Sequence, residues 1–413
     1  MRPLRQKVLP ARCHQSAEMR KDFNRIRHYA LRAPHKLGAL VRMVYRTKLT
    51  SAKSMRRAGF TAPLPPLVTI QINNQCNLRC IQCWEWGDNG AYKQMEHSVL
   101  HDELSTGQWT SLFEDFSTWK PYLYFSGGEP LLRKDLPAII KFATDRMLLT
   151  ALNSNTTLLT EELAERLVRS GLDYYIASLD GPEAINNRIR KGRDVYNRVI
   201  AGIRSLVQAK AKLKSALPII EVCTTVTTEN QHHLLETAQL VDQLGVDYFK
   251  LQLGVFTNPD LLARTEARFT QSFGVPPKLW AGYVRDMSGI DTEAVAQQEQ
   301  AIRARRWSFA AGRYPKRSVQ GFEFESYFKT PDKVFGEKLC HVPWKRAVIR
   351  PNGDVVGCPL FPEARLGNIK EQKFAEIWNG FQMRNFRQSL TQEGLFPTCA
   401  RCCELYELDE SKG

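Results

Sequence analysis

Apolar residues recur along this chain in two periods that take turns. Short runs rich in Val, Ile, Leu and aromatic residues read as strands near 67–72, 121–126, 148–153, 173–179, 218–226 and 247–252. Between them, spacing of i, i+3, i+4 predicts helices near 103–117, 134–146, 161–170, 195–213 and 231–244, the last ended by Gly245. Strands that alternate with helices in this way imply an α/β fold. The expected form is a parallel sheet rolled toward a partial (β/α)6 TIM-like barrel, with ligands gathered at the carboxyl ends of the strands.

The flanks follow other patterns. Phe23, Ile26 and Ala30, then Leu37, Leu40, Val41, Val44 and Tyr45 beyond Pro34, predict two short amphipathic helices; Pro63, Pro65 and Pro66 make a stiff linker into the first strand. From about 254 to 336 the alternation stops, and the stretch is helical in part, near 278–306. Arg346 to Arg350 and Asp354 to Gly357, joined through Asn352 and Gly353, predict a β-hairpin whose turn needs positive φ angles. The expected organisation is a basic amphipathic helical segment (1–62), a barrel (63–253), a helical bridge or insertion (254–336) and a C-terminal unit (337–413).

Composition adds a compartment and a charge asymmetry. Hydrophobic content of 43% and charged content of 24% are those of a soluble globular protein. No run approaches the roughly 18 apolar residues of a spanning helix, and the N-terminus lacks the apolar core of a secretory signal. These features predict a cytoplasmic protein whose ten cysteines, most of them clustered, suit metal ligation better than disulfides. Residues 1–60 hold sixteen Lys and Arg against Glu18 and Asp22, so nearly all of the net charge of +15 sits there. Two explanations stand: a helical pair packed outside the catalytic domain with a solvated basic face, or a surface for an anionic partner. That partner would be an acidic peptide or carrier, RNA, or a membrane to which the protein is peripheral. A second basic group, Arg303, Arg305, Arg306, Arg313, Lys316 and Arg317, is either solvated surface or a substrate-binding bridge.

Candidate chemistry falls at the strand ends. Cys76, Cys80 and Cys83 follow the first strand; Gly127, Gly128, Glu129 and Pro130 follow the second; Asn153 and Asn155 follow the third; Ser178, Asp180 and Gly181 follow the fourth. Three thiolates within eight residues leave a four-iron cluster one ligand short, and an iron without a protein ligand can bind substrate. Zinc completed by a distant residue, or a redox pair with a bystander, fits the same spacing. In the tail, the hairpin brings Cys340 and Cys358 together, and Cys399 with Cys402 supplies two more ligands for a cluster or a structural zinc ion.

This combination resembles the radical S-adenosylmethionine (SAM) superfamily, and the tail resembles its SPASM and twitch extensions. The likeness covers roughly 67–252 and 337–403. It implies that Cys76, Cys80 and Cys83 hold a [4Fe–4S] cluster whose open iron takes the amino and carboxylate groups of SAM. Glu129, presented by Gly127 and Gly128, would meet the amino group, while Asn153, Ser178, Asp180 and Arg190 would lie near the ribose or the carboxylate. Reductive cleavage would give a 5′-deoxyadenosyl radical that abstracts a substrate hydrogen, with electrons from a donor such as flavodoxin or ferredoxin. Cys340, Cys358, Cys399 and Cys402 would hold one auxiliary [4Fe–4S] cluster, with Cys403 as a substitute for Cys402 or a free thiol. The implied activity is that of a radical SAM oxidoreductase or maturase acting on a peptide. Dehydrogenation or epimerisation of a sugar-like or lipid-linked small molecule, and RNA modification, are the alternatives.

The sequence departs from the family pattern twice. Gln82 stands where an aromatic or apolar residue usually supports the adenine, which leaves that task to Trp84, to Trp86 or to a polar contact. The tail has five cysteines rather than seven, and Leu408 stands where the next is expected. Cys223 in the fifth strand is expected to be a core thiol, with hydrogen donation to a substrate radical as the alternative. His97, His101, His232 and His233 read as surface or packing residues.

Overall fold

The computed structural model describes residues 29–49, 60–93, 95–314, 322–335 and 338–405. Six strands appear where the apolar runs place them: β1 Leu67–Gln71, β2 Tyr122–Ser126, β3 Leu149–Ser154, β4 Tyr174–Ser178, β5 Ile219–Val226 and β6 Tyr248–Leu253. They pair in parallel in that order. The alternation along them separates two faces. Leu123 and Phe125 of β2 are buried on the helix side, where Phe125 meets Phe113 edge to face, while Tyr122, Tyr124 and Ser126 alternate with them. On the inner face Lys250 pairs with Glu221 at 2.5 Å, and the Cys223 thiol donates to Gln252 Oε1 at 3.4 Å. Cys223 therefore belongs to a polar lining, not to the apolar core expected for it.

Four further strands complete one ten-stranded sheet. The segment expected as a helical bridge contains the helix Thr292–Ala304, but it also supplies β7 Ala310–Tyr314, which joins β6 in parallel. The tail hairpin, β8 Arg346–Ile349 and β9 Asp354–Val356, pairs with itself and places β8 in parallel beside β1; β10 Arg365–Asn368 extends the edge. The final order is β10-β9-β8-β1-β2-β3-β4-β5-β6-β7. The hairpin is thus continuous with the barrel sheet. No sequence period could reveal this, because which strand lies beside β1 depends on contacts nearly 300 residues apart.

At the amino ends of the strands sits the described part of the basic segment. Tyr29, Ala33, Ala39 and Leu40 pack on Leu149, Ile219 and Tyr248 at the starts of β3, β5 and β6. Two acidic residues immediately before β4 and β6 anchor it. Asp173 accepts from Tyr29 Oη at 2.6 Å, Lys36 Nζ at 2.7 Å and the Thr150 backbone N–H at 2.9 Å. Asp247 pairs with Arg32 at 2.5 Å and accepts from the Ile220 N–H at 2.8 Å. Arg46 donates to the carbonyls of Trp119 and Leu64 at 2.6 and 2.8 Å. Arg32, Lys36 and Arg46 are consumed inside the molecule and are not offered to an anionic partner. The apolar face is also divided: Ala39 and Leu40 turn inward, whereas Leu37, Val41 and Tyr45 on the helix Leu37–Leu49 are exposed. The first of the two expected helices, on Phe23 and Ile26, lies outside the described residues. Among the described residues no helix is long and apolar enough to cross a membrane.

Candidate functional site

The loop that leaves β1 is held by glycines on the next strand. A Cβ on Gly127 would lie 2.4 Å from the Asn73 carbonyl oxygen, and one on Gly128 would lie 2.1 Å from that of Gln75, so only glycine lets the two backbones meet. Gly127 also has φ +140, a backbone conformation that favours glycine. Asn73 Nδ2 donates to the Glu129 carbonyl at 2.7 Å, and the Glu129 N–H donates to Gln75 O at 2.7 Å. The cysteine loop and the Gly127 turn are therefore one unit.

Within that unit the thiols face backbone and side-chain donors. The Leu78 N–H points at Cys76 Sγ at 3.4 Å and the Trp86 N–H at Cys83 Sγ at 3.3 Å; Asn155 Nδ2 lies 3.9 Å from Cys76 Sγ. Burial pushes the Cys76 and Cys83 thiols up to about 12. It raises the Cys80 thiol as well, against the opposing influence of the Arg190 guanidinium that hydrogen-bonds it. Protons must therefore leave when a metal binds, and binding strengthens as pH rises.

A second group flanks Cys80. Asp180, fully buried after β4, accepts from the Thr225 N–H at 2.9 Å, from Gln82 Nε2 at 2.7 Å and from Arg190 Nη2 at 2.7 Å. Gln82 is thus a polar partner of Asp180, and it leaves its own Oε1 buried without a partner; Arg190 Nε is in the same state. Two orphaned polar atoms beside a cysteine loop mark a place for a polar ligand, because such atoms are costly to leave unsatisfied. Trp84 instead stacks on Tyr283 at 5.9 Å, and the Trp86 indole donates to Asn74 O at 2.8 Å with the Arg79 guanidinium 4.4 Å over its ring.

Not every expected residue faces the same way. Asn153 and Ser178 are half-buried at the ends of β3 and β4. The Glu129 carboxyl is turned into the protein: Oε1 accepts from the Leu131 N–H at 2.9 Å and Ser154 Oγ at 2.8 Å, and Oε2 accepts from the Asn155 N–H at 2.7 Å. It is 1% exposed, and burial raises its pKa. Glu129 ties the ends of β2 and β3 together. Asn155 rather than Asn153 is the residue of that pair beside Cys76. The pattern of residue types could not separate the two, since they differ only in which side of the turn they occupy.

The tail thiols gather at the open end of the hairpin. Cys340 leads into β8 and Cys358 leaves β9, and each thiol is raised by burial and by neighbouring tail cysteines; Cys399 feels Cys358, and Cys402 feels both Cys358 and Cys340. Cys403 lies in hydrogen-bonding contact with Cys402. Arg401, fully buried between Cys399 and Cys402, donates to the carbonyls of Tyr327 and Lys333 at 2.5 and 2.7 Å and also to that of Thr330, which fastens the cysteine turn to the helix Phe322–Lys329. Among the described residues no three Cys, His, Asp or Glu side chains close on one point tightly enough for a single metal ion.

Comparison with known proteins agrees with this geometry. Residues 70–241 match the family model of the Radical SAM superfamily, and residues 340–403 match SPASM, an iron-sulfur cluster-binding domain. The chain belongs to the radical SAM superfamily. Its cofactors are accordingly SAM and [4Fe–4S] clusters. Similar sequences include the pre-heme d1 synthase of Dinoroseobacter shibae, 28% identical over 76% of this chain and 73% of that protein. An AdoMet-dependent heme synthase of Methanosarcina barkeri is 27% identical over 82% of this chain and 88% of its own length. A PqqA peptide cyclase of Granulibacter bethesdensis is 24% identical over 84% and 81%. Among solved structures, SuiB of Streptococcus suis shares the fold with a TM-score of 0.56 at 13% identity, over 85% of this chain and 74% of its own.

In this radical SAM protein two of the six basic bridge residues are ion-paired, and Arg306 is exposed. Arg303 and Arg313 both meet Glu299, at 2.6 and 2.8 Å, and Arg305 lies 5.7 Å over the Trp307 ring. Lys316 and Arg317 lie outside the described residues. His97 and His101 stack on each other at 3.8 Å in an exposed turn, and His233 pairs with Glu236 at 2.9 Å, away from the cysteines.

Proposed function

We propose that Cys76, Cys80 and Cys83 hold the SAM-binding [4Fe–4S] cluster and that Cys340, Cys358, Cys399 and Cys402 hold one auxiliary cluster. Held by those residues and reduced by an external donor such as flavodoxin or ferredoxin, the first cluster would supply the electron for reductive cleavage of SAM, and with it the capacity to remove a hydrogen atom from the substrate. The observation that carries this reading is the pairing of a donor-rich thiol loop with the orphaned Gln82 and Arg190 atoms on the same strand ends.

The chain's own residues have three tasks. The N–H groups of Leu78 and Trp86 stabilise thiolate charge at Cys76 and Cys83. Arg190 and Gln82, oriented by Asp180, present polar atoms to the ribose and carboxylate of SAM. Glu129 holds the β2 and β3 ends in register with its carboxyl engaged by Leu131, Ser154 and Asn155, so the backbone of the Gly127 turn rather than this carboxylate would receive the SAM amino group. Domain tasks follow the boundaries expected from the sequence, with 63–253 binding SAM and 337–413 binding the auxiliary cluster.

Two substrate readings have specific support. Peptide modification is supported by the peptide cyclase relative, and action on a heme precursor by the relatives named as heme and pre-heme d1 synthases. Anaerobic reconstitution should give about eight iron atoms per chain, two four-iron clusters, and dithionite with SAM should release 5′-deoxyadenosine. Deuterium carried into that product from a labelled peptide or a labelled heme precursor selects between the two substrates. A protein that reconstitutes without iron, or never cleaves SAM, would refute the assignment.

A further inference from the structure

Beyond β6, the chain turns back over the carboxyl end of the sheet and encloses a cavity of about 410 Å³. Phe256, Met287, Phe328 and Pro331 make the apolar part of its lining, and Arg285 shares the polar part with Thr257, Asn258, Asp286, Ser288 and Lys329. The site is built, not incidental. The Thr257 N–H donates to the Tyr283 carbonyl at 2.9 Å and the Arg285 N–H donates to the Thr257 carbonyl at 3.2 Å, so the two lining loops are laced by their backbones. Tyr283 in turn stacks on Trp84, one residue beyond Cys83. The cavity therefore opens beside the cysteine loop.

Arg285 is charged but has no acidic partner. Its Nη2 donates to the Gly282 carbonyl at 2.9 Å, and among the described residues no carboxylate lies within ion-pair distance of it. The neighbouring groups that could serve are engaged elsewhere: Asp286 is turned to solvent and accepts from the Ser288 N–H at 2.8 Å, while Lys329 is paired with Glu325 at 2.6 Å. Other interior arginines of this protein have an acid or a set of carbonyls for a partner, as Arg190 has Asp180 and Arg401 has the carbonyls of Tyr327, Lys333 and Thr330 among others. Burial depresses the pKa of Arg285, against the raising influence of Tyr283 and of the Cys83 thiol. A fork of donors with one arm free, beside the apolar side chains of Phe256, Met287 and Phe328, matches a planar carboxylate carried on an apolar body.

We propose that Arg285 anchors a carboxylate of the substrate, whose apolar portion fills the cavity beside the Cys83 end of the cysteine loop. The inference rests on the reading of the carboxyl end as the place where the radical is made, and it gives that reading a substrate class. An acidic side chain of a peptide and an acidic side chain of a tetrapyrrole share this chemistry.

The test uses the iron-loaded full chain, with 4-phenylbutyrate and its amide as probes in calorimetric titrations. The carboxylate should bind about tenfold or more tightly than the amide, the gain of one charge-assisted pair. Arg285→Met should abolish that preference, and Arg285→Lys should keep part of it. Iron content and the thermal midpoint show whether each variant is folded. Equal binding of acid and amide by the wild type would overturn the proposal. So would an Arg285→Met variant that keeps the preference while its cluster reduction potential shifts, since Arg285 would then serve the Cys83 thiolate. Displacement of the probe by a glutamate-containing tripeptide supports a peptide source, displacement by mesoporphyrin supports a tetrapyrrole source, and failure of both overturns the assignment. A preparation without iron that still prefers the acid through Arg285 would leave this site standing while refuting the cluster reading.

Discussion

The two ends of the barrel are built from the same kinds of residue and treat them in opposite ways. At the amino end, Asp173 and Asp247 are buried with Lys36, Tyr29 and Arg32, and the donors around each carboxylate include a strand-starting backbone N–H. At the carboxyl end, Asp180 is as well satisfied as these, but its partners Gln82 and Arg190 each keep a buried polar atom without a mate, and Arg285 has no carboxylate at ion-pair distance among the described residues. Polar groups that are fully paired stabilise a closed base. Those left incomplete are the ones a ligand can complete.

That contrast predicts which changes abolish chemistry and which merely loosen the fold. The largest effect is expected from replacing Cys76, Cys80 and Cys83 together by Ala: 5′-deoxyadenosine release should vanish, while iron falls from about eight to about four per chain because the tail cluster remains. If all iron were lost, the two cysteine groups would not be independent. Next, Asp180→Asn turns an amide donor toward Arg190 or Gln82. SAM affinity measured by equilibrium dialysis should drop at least about tenfold, the cost of one misdirected charged hydrogen bond.

At the opposite end, Asp173→Asn should leave SAM cleavage per folded molecule unchanged but lower the stability to urea by about 3–5 kcal/mol, because Lys36 would be buried without its partner. Loss of cleavage in that variant would break the division between the two ends. The smallest effect is expected at Cys403. Its change to Ser should leave iron content and the tail-cluster spectrum as they were, whereas Cys402→Ser should lose the cluster. The reverse result would make Cys403 the ligand.

Much of this was legible because local chemistry was enough to specify it. The six strands and five of the helices between 67 and 253 follow from period and punctuation, although the helix Glu183–Arg190 that carries Arg190 and the short helix His97–Leu100 do not; Cys76, Cys80, Cys83, Gly127 and Gly128 are recognisable from spacing and glycine placement. Other features had a signal that was readable in principle. Gly171 and Gly245, both with positive φ, each begin the pattern Gly-x-Asp-Tyr before β4 and β6, and this repeat marks the two aspartates that the basic segment neutralises. The charge asymmetry of residues 1–60 pointed outward to a partner, yet Arg32, Lys36 and Arg46 point inward. A count of charges carries no direction.

By itself, then, the sequence determined the alternation of strand and helix, the cysteine spacings and the glycine turn, because these depend on backbone preferences and ligand geometry within a few residues. Only the tertiary structure decided the rest. It set the hairpin beside β1, turned the Glu129 carboxyl inward, gave Gln82 to Asp180, and left Arg285 in a cavity lining with a carbonyl rather than a carboxylate for a partner. Each of these depends on which groups from distant segments reach one another, and on which donors and acceptors remain after the others have paired.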